Sequence, residues 1–279
     1  MNYFVTGDCH GRIDRFKKFK EQNPNLTDIG DVGFIILGDF GVNYYLDKTD
    51  KKKKQELEEL GFDYYVVRGN HEQRPEFIPD IKLKYNKSIN NFVYEEEDFP
   101  HIHYLLDGED YQFNDYSALI IGGAYSVDKY WRLFNGGCMF KEDLTDEDCI
   151  KAGWFPQEQL SSEEMKNILW WAKGKQFDFV FSHTCPLSWC PEDLFLRQIR
   201  QEDVDKSMEI WLDDLKDNIY WDIWCFGHYH ADRLERPRVE QFFTDIGSLD
   251  SIYSRWSKYK ENKDSIWMLD KSPNFYKGE

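Results

Sequence analysis

With 279 residues, 41% of them hydrophobic and 17% aromatic, the chain can bury one sizeable core. Its formal net charge of −17 disfavours a polynucleotide partner, because such surfaces use Lys and Arg to neutralise phosphates. No apolar run approaches the roughly 18 residues of a membrane span, and the six scattered cysteines form no CxxC pair, which argues against a zinc ribbon or redox motif.

The elements follow a repeating pattern in which a short apolar run ends in a polar loop. Tyr3–Thr6 leads into Gly7-Asp8-Cys9-His10-Gly11, and Arg12–Gln22 follows as a predicted helix. Val32–Leu37 leads into Gly38-Asp39, and Lys51–Leu60 reads as a helix closed by Gly61. Tyr64–Val67 leads into Arg68-Gly69-Asn70-His71-Glu72, and Ala118–Ile121 reads as a strand before Gly122-Gly123. Tyr125–Leu160 is aromatic, glycine-rich, acidic and weakly periodic, the profile of a functional loop or of a surface excursion with its own packing. Ser161-Ser162-Glu163-Glu164 resembles a capping box for a helix ending near Gly174. Phe177–Phe181 leads into Ser182-His183, and Glu192–Asp217 has the length of one or two helices. Asp222–Phe226 leads into Gly227-His228-Tyr229-His230; Gln241–Asp245 and Ser265–Leu269 read as further strands.

Short β-branched and aromatic runs suit buried strands, and their alternation with helices predicts an α/β fold. Ligands in such folds bind beyond the carboxyl ends of the strands. All five polar loops fall there. The absence of linker, repeat, signal-like opening or anchor leads to the expectation of a single domain over residues 1–279 in a reducing cytoplasm.

Five of the seven histidines (His10, His71, His183, His228 and His230) share that strand-end context. Asp8, Asp39 and Asn70 add oxygen donors. Mixed imidazole and carboxylate donors suit Mn, Fe, Zn or Co better than Ca. A carboxylate that bridges two such ions holds them ~3.5–4 Å apart and generates a hydroxide near neutral pH. Flanking glycines allow the tight turns that aim these side chains over the sheet.

Taken in order, GDCHG, GD, GNHE, an isolated SH after a strand, and GHYH resemble the motifs of the calcineurin-like metallophosphoesterases over roughly residues 7–230. The resemblance implies a four-layer α/β/β/α sandwich with two divalent metal ions (Mn, Fe or Zn) at the strand ends. It implies that Asp8, His10 and His230 hold the first metal, Asp39 bridges, and Asn70, His183 and His228 hold the second. His71 is then the proton donor or transition-state stabiliser beside the leaving group, and a bridging hydroxide attacks phosphorus in line. The implied activity is hydrolysis of phosphomonoesters or phosphodiesters. A nuclease or nucleic-acid phosphatase, a Ser/Thr-type phosphoprotein phosphatase and a non-catalytic scaffold are the alternatives. Arg68-Gly69-Asn70-His71-Glu72 resembles the phosphoprotein phosphatase branch, but Gly38-Asp39-Phe40-Gly41-Val42-Asn43 lacks that branch's arginine. The GHYH ending is more typical of bacterial phosphoesterases.

A small phosphorylated substrate is the expected partner, with no membrane. Arg132, whose guanidinium forks onto phosphate, and Tyr125 are its candidate contacts; Lys129, Tyr130 and Trp131 lie near them. Among the remaining polar groups, His101 and His103 read as surface or core residues on one strand face. Cys9, Cys185 and Cys190 read as packing residues. Asp14, Arg15 and the Lys51–Lys54 run read as solvated helix faces.

Overall fold

The computed structural model describes residues 1–27 and 31–261; the strand read at Ser265–Leu269 lies outside them. Thirteen strands among the described residues form two mixed sheets. Strands β1 (Asn2–Thr6), β2 (Val32–Leu37), β3 (Asp63–Val67), β4 (Ile81–Asn86), β5 (Asn91–Glu96) and β6 (Phe99–Tyr104) join the short β13 (Gly247–Ser248) in a sheet of order β13-β1-β2-β3-β6-β5-β4. Its central β1, β2, β3 and β6 are parallel. The second sheet has the order β11-β12-β10-β9-β8-β7, built from β7 (Asp110–Phe113), β8 (Tyr116–Ile121), β9 (Gln176–Ser182), β10 (Tyr220–Phe226), β11 (Arg233–Arg236) and β12 (Val239–Gln241). Here β8, β9, β10 and β12 are parallel.

Parallel strands covered on both faces read as continuous apolar runs, which is why β2 is apolar along its whole length. The two-residue period still divides its side chains. Ile35 and Leu37 meet Phe179, Phe181, Ile223 and Cys225 between the sheets. Phe34 and Ile36 face outward against Phe16 and Phe19 of α1 (Asp14–Gln22) and Leu57 of α3 (Lys48–Glu58). The outer face of the second sheet packs Val180, Trp224 and Phe226 against Ile168 of α6 (Ser162–Ala172) and Leu212 and Leu215 of α7 (Ser207–Asn218). Each fully buried side chain of this size contributes about 1.5–3 kcal/mol. The result is the four-layer α/β/β/α sandwich. The short α2 (Pro24–Thr27) follows α1, and α8 (Leu249–Glu261) adds Leu249, Ile252 and Trp256 to the core between the sheets.

Several local expectations change. The capping box is present: Ser161 and Glu164 bond each other's main-chain N–H groups. Helix α3 begins at Lys48 rather than Lys51 because Asp47 caps the Thr49 N–H. Lys54 in that helix is not solvated; it is 4% exposed, pairs with Glu96 and lies over Phe99 and Tyr104. Residues 192–206 are not α-helical but hold two single-turn helices, Glu192–Leu194 and Gln201–Asp203, and only Ser207–Asn218 is an α-helix. The strand expected at Gln241–Asp245 lies instead at Val239–Gln241. The 125–160 excursion carries two short helices, α4 (Lys129–Asn135) and α5 (Asp146–Lys151).

Candidate metal centre

Every one of the five motif loops leaves the carboxyl end of its parallel strand (β1, β2, β3, β9 or β10), so the loops converge although the chain separates them widely. Strand β1 delivers Asp8 and His10. Its loop is held from below by Arg15, which donates to Thr6 Oγ1 at 2.8 Å, Gly7 O at 3.2 Å and Asp8 O at 2.7 Å. Arg15 is thus no solvated helix face. An arginine in a helix's first turn opposes the macrodipole, and that mismatch was the available signal. Asp14 beside it is exposed, as expected.

Four donor residues have left-handed main chains: His10 (φ 48°), Asp39 (φ 47°), His228 (φ 67°) and His230 (φ 54°). This region is uncommon outside glycine, though Asn, Asp and His tolerate it best, and such strain concentrates at functional sites. Two glycines make room. A Cβ on Gly38 would lie 2.1 Å from His183 Nδ1, and one on Gly69 would lie 2.0 Å from Asp39 Oδ1.

The donors form two groups around Asp39. In the first, His10 Nε2 and His230 Nε2 are 2.9 Å apart, and Asp8 Oδ2 lies 3.2 Å from His230 Nε2 and 3.8 Å from His10 Nε2. Ligands around one small cation are separated by about 3 Å when each bond is ~2 Å, so these three atoms fit a single ion. In the second, Asn70 Oδ1 lies 2.7 Å from His183 Nε2, and the His228 ring is 5.0 Å from the His183 ring. Asp39 lies between them, with Oδ1 3.7 Å from His183 Nε2 and Oδ2 3.9 Å from the other ring nitrogen of His10, Nδ1.

Hydrogen bonds orient the donors. His183 Nδ1–H donates to Leu37 O at 2.8 Å, which leaves Nε2 as the lone pair facing the centre. Asp39 Oδ1 accepts from the His71 main-chain N–H and Asp8 Oδ1 from that of His228, both at 2.8 Å. Asn70 Nδ2 donates to Ser126 Oγ at 2.8 Å, and Ser126 N–H donates to Glu158, a chain from the centre into the 125–160 excursion.

The charge states suit cations. Burial alone would raise Asp39, but His71, His183 and His10 outweigh it and hold the carboxyl below its ordinary range. Asp8 is likewise held low against burial by His230 and His183. Burial, then His183, pushes His228 down to about 3, so its imidazole is neutral and able to ligate. Asp8 Oδ2 is buried with no well-formed hydrogen bond among the described residues, an orphaned anion of the kind a cation satisfies. The donor set therefore fits a pair of divalent ions. It includes two clusters, Asp8/His10/His230 and Asp8/Asp39/His183, whose ligand atoms lie within 4.8 Å of one another.

Other candidates fall near or away from this centre. His71 borders it, with its ring 5.9 Å from that of His10 and its buried Nδ1 without a hydrogen-bond partner among the described residues. Tyr125 lines a 270 Å³ cavity beside Asp39, Asn70 and His228. Arg132 lines a second cavity of 390 Å³ beside His10 and His71, with Tyr44 and Tyr45, which the sequence did not flag, and Lys53, which was expected on a solvated helix face. Trp131, 66% exposed, and Tyr130 face outward. His101 and His103 bind Asp63 and Glu95 at the opposite end of the sheet. Cys9 is buried in the core of the first sheet's outer face, Cys185 is buried against α7, and Cys190 packs beside it. All six cysteines are free thiols.

A two-sheet sandwich with paired imidazole–carboxylate donors at its strand ends defines a metal-dependent hydrolase scaffold. A family model described as calcineurin-like phosphoesterase matches residues 1–232, and the chain belongs to that family. It is therefore a metal-dependent phosphoesterase in the general sense. No curated protein matches the chain. Sixteen solved chains match. One is a crystal structure with 12% identity and TM-score 0.48, over 90% of this chain and 95% of its own. Another, the Thermus thermophilus sulfate thiohydrolase SoxB in complex with glycerol, has 12% identity and TM-score 0.36, over 90% of this chain and 46% of its own.

Proposed function

We propose that the chain hydrolyses a small phosphomonoester or phosphodiester with two ions of manganese, iron or zinc. The observation that carries this is the pair of clusters Asp8/His10/His230 and Asp8/Asp39/His183, whose ligand atoms lie within 4.8 Å of one another and which share a buried carboxylate. When bound, such ions neutralise phosphoryl oxygens and activate water near neutral pH. Asp8, His10 and His230 would hold the first ion and Asn70, His183 and His228 the second, with Asp39 between them.

His71 keeps its main-chain N–H on Asp39 and borders both cavities, so its ring is placed to give a proton to the departing alkoxide. Arg132 and Tyr125 flank the substrate from the excursion. The phosphoprotein phosphatase alternative loses support at Arg68. That guanidinium is buried, paired with Asp107 at 2.8 Å, and donates to the carbonyls of Glu158 and Gly122, so it is engaged in holding loops. The net charge of −17 continues to disfavour a nucleic-acid substrate. No helix of the described residues is long and apolar enough to cross a membrane. Free thiols suit the proposed cytoplasmic location.

The test is metal analysis with hydrolysis of nitrophenyl phosphate and bis-nitrophenyl phosphate, before and after chelation. We expect two ions per chain and activity that chelation abolishes and manganese restores. Turnover that survives complete chelation would overturn the reading.

A further inference from the structure

The centre sits between two unlike cavities that share His71, Asp128 and His230. The 270 Å³ cavity has an apolar wall (Phe195, Leu196, Ile199, Val204 and Tyr229), with Lys206 and the buried Glu209 as its charged members away from the centre. The first four belong to residues 192–206, the segment that forms two single-turn helices instead of a long helix, and Phe195 and Ile199 line the cavity from it. An apolar cavity of roughly 150 Å³ holds benzene. Part of this one lies over Asp39, Asn70 and His228 and goes to the phosphoryl group. The remainder suits one aromatic ring or a short branched chain.

The 390 Å³ cavity on the other flank carries two cations. Lys53 Nζ donates to Gly41 O at 3.0 Å, lies 3.9 Å from Asp50 Oδ1 and 5.0 Å from the Tyr45 ring, and so keeps one of its three protons for a ligand. Arg132 uses Nε on Asp128 and Nη1 on Tyr44 and Gly153 O, which leaves Nη2 without a protein partner among the described residues. Lys and Arg only donate, so this side selects an acceptor-rich, negatively charged group.

We infer that the substrate is a phosphodiester with unlike arms, an apolar ring-sized one in the Ile199 cavity and an anionic one beside Lys53 and Arg132. This rests on the phosphoesterase reading and narrows it. A phosphomonoester has one arm and would leave one cavity unused. In the reaction, the oxygen of water bonds to phosphorus and the bond to one arm breaks. That arm leaves as an alcohol carrying a proton. The other stays on the phosphomonoester product.

Manganese-loaded protein should favour bis-nitrophenyl phosphate over nitrophenyl phosphate by roughly tenfold or more in kcat/KM. For the nitrophenyl ester of a nucleoside monophosphate, a second phosphate on the sugar should lower KM about fivefold. Lys53→Met should erase that gain. Ile199→Asp should raise KM for the bis-aryl diester roughly tenfold, and Ile199→Ala less, with metal content unchanged. Calorimetric binding of diphenyl phosphate should weaken in parallel in Ile199→Asp. Preference for the monoester, or indifference of both substrates to Ile199→Asp and Lys53→Met, would overturn the two-armed substrate while leaving the phosphoesterase reading standing. Absence of metal-dependent turnover on every ester would overturn both.

Discussion

Each half of the candidate metal centre joins two imidazoles to one buried oxygen donor, Asp8 in one and Asn70 in the other, but the imidazoles differ in their surroundings. Asn70 and His183 are sealed, at 1% and 0% exposure, with His183 tied to Leu37 O and Asn70 to Ser126. His10 and His230 stand at the rim with side chains 32% and 48% exposed, meeting each other and, for His230, the Phe243 ring. The difference teaches that donor chemistry alone does not set how firmly an ion is held. Orientation by neighbouring groups does as much. The sealed half should retain its ion and the rim half should exchange it.

The largest test removes the element common to both halves. Asp39→Asn should lower kcat/KM roughly a thousandfold, since several kcal/mol of charge stabilisation depend on the ion pair; steady-state kinetics checks it. His71→Ala should keep both ions and lower kcat by roughly a hundredfold, the scale of a lost acid catalyst. Loss of metal in that variant would make His71 a ligand instead. The comparison itself is sharpened by His183→Ala against His230→Ala. Metal titration should show that the first abolishes the tight site and the second only the exchangeable one. Equal effects would break the distinction.

Smaller effects probe what lies beneath the sealed half. Ser126→Ala should weaken the tight site by roughly tenfold, because Asn70 loses its tether. Glu158, pushed by burial to about 7 from an ordinary 4.5, holds its proton in the folded state where the unfolded chain has lost it. Its stabilising contribution is therefore complete below about pH 4.5 and disappears as pH rises through about 7. Glu158→Gln mimics the protonated form. Its melting temperature should exceed that of the unaltered protein by a few degrees at about pH 8, with the gap closing toward pH 5.

Much of this was readable in the sequence, and the exceptions have physical reasons. The parallel strands announced themselves because burial on both faces leaves an apolar run, as in β2 and β9. Strand β4 went unread although Lys82 and Lys84 alternate with Ile81, Leu83 and Tyr85, because at the sheet edge only Ile81 is buried, and β5 beside it ends in Glu95 and Glu96. The motifs pointed to the residues that the structure gathers around Asp39. The residues that steady them were silent, because Arg15, Ser126 and Glu158 act through main-chain contacts or at long sequence separation. The segment after Glu192 misled because its apolar residues could be read as the stripe of a helix, whereas Phe195 and Ile199 line a cavity.

The left-handed corners at His10, Asp39, His228 and His230 carry one more consequence. Glutamate and cysteine chelate divalent ions as readily as aspartate and histidine do, yet they are less at home at positive φ. The ligand alphabet of this centre is thus restricted by the backbone before any metal arrives. Attempts to retune its metal preference with cysteine or glutamate at these four positions should meet folding defects first, whereas Asn70 and His183, outside that region, are the places where such redesign can begin.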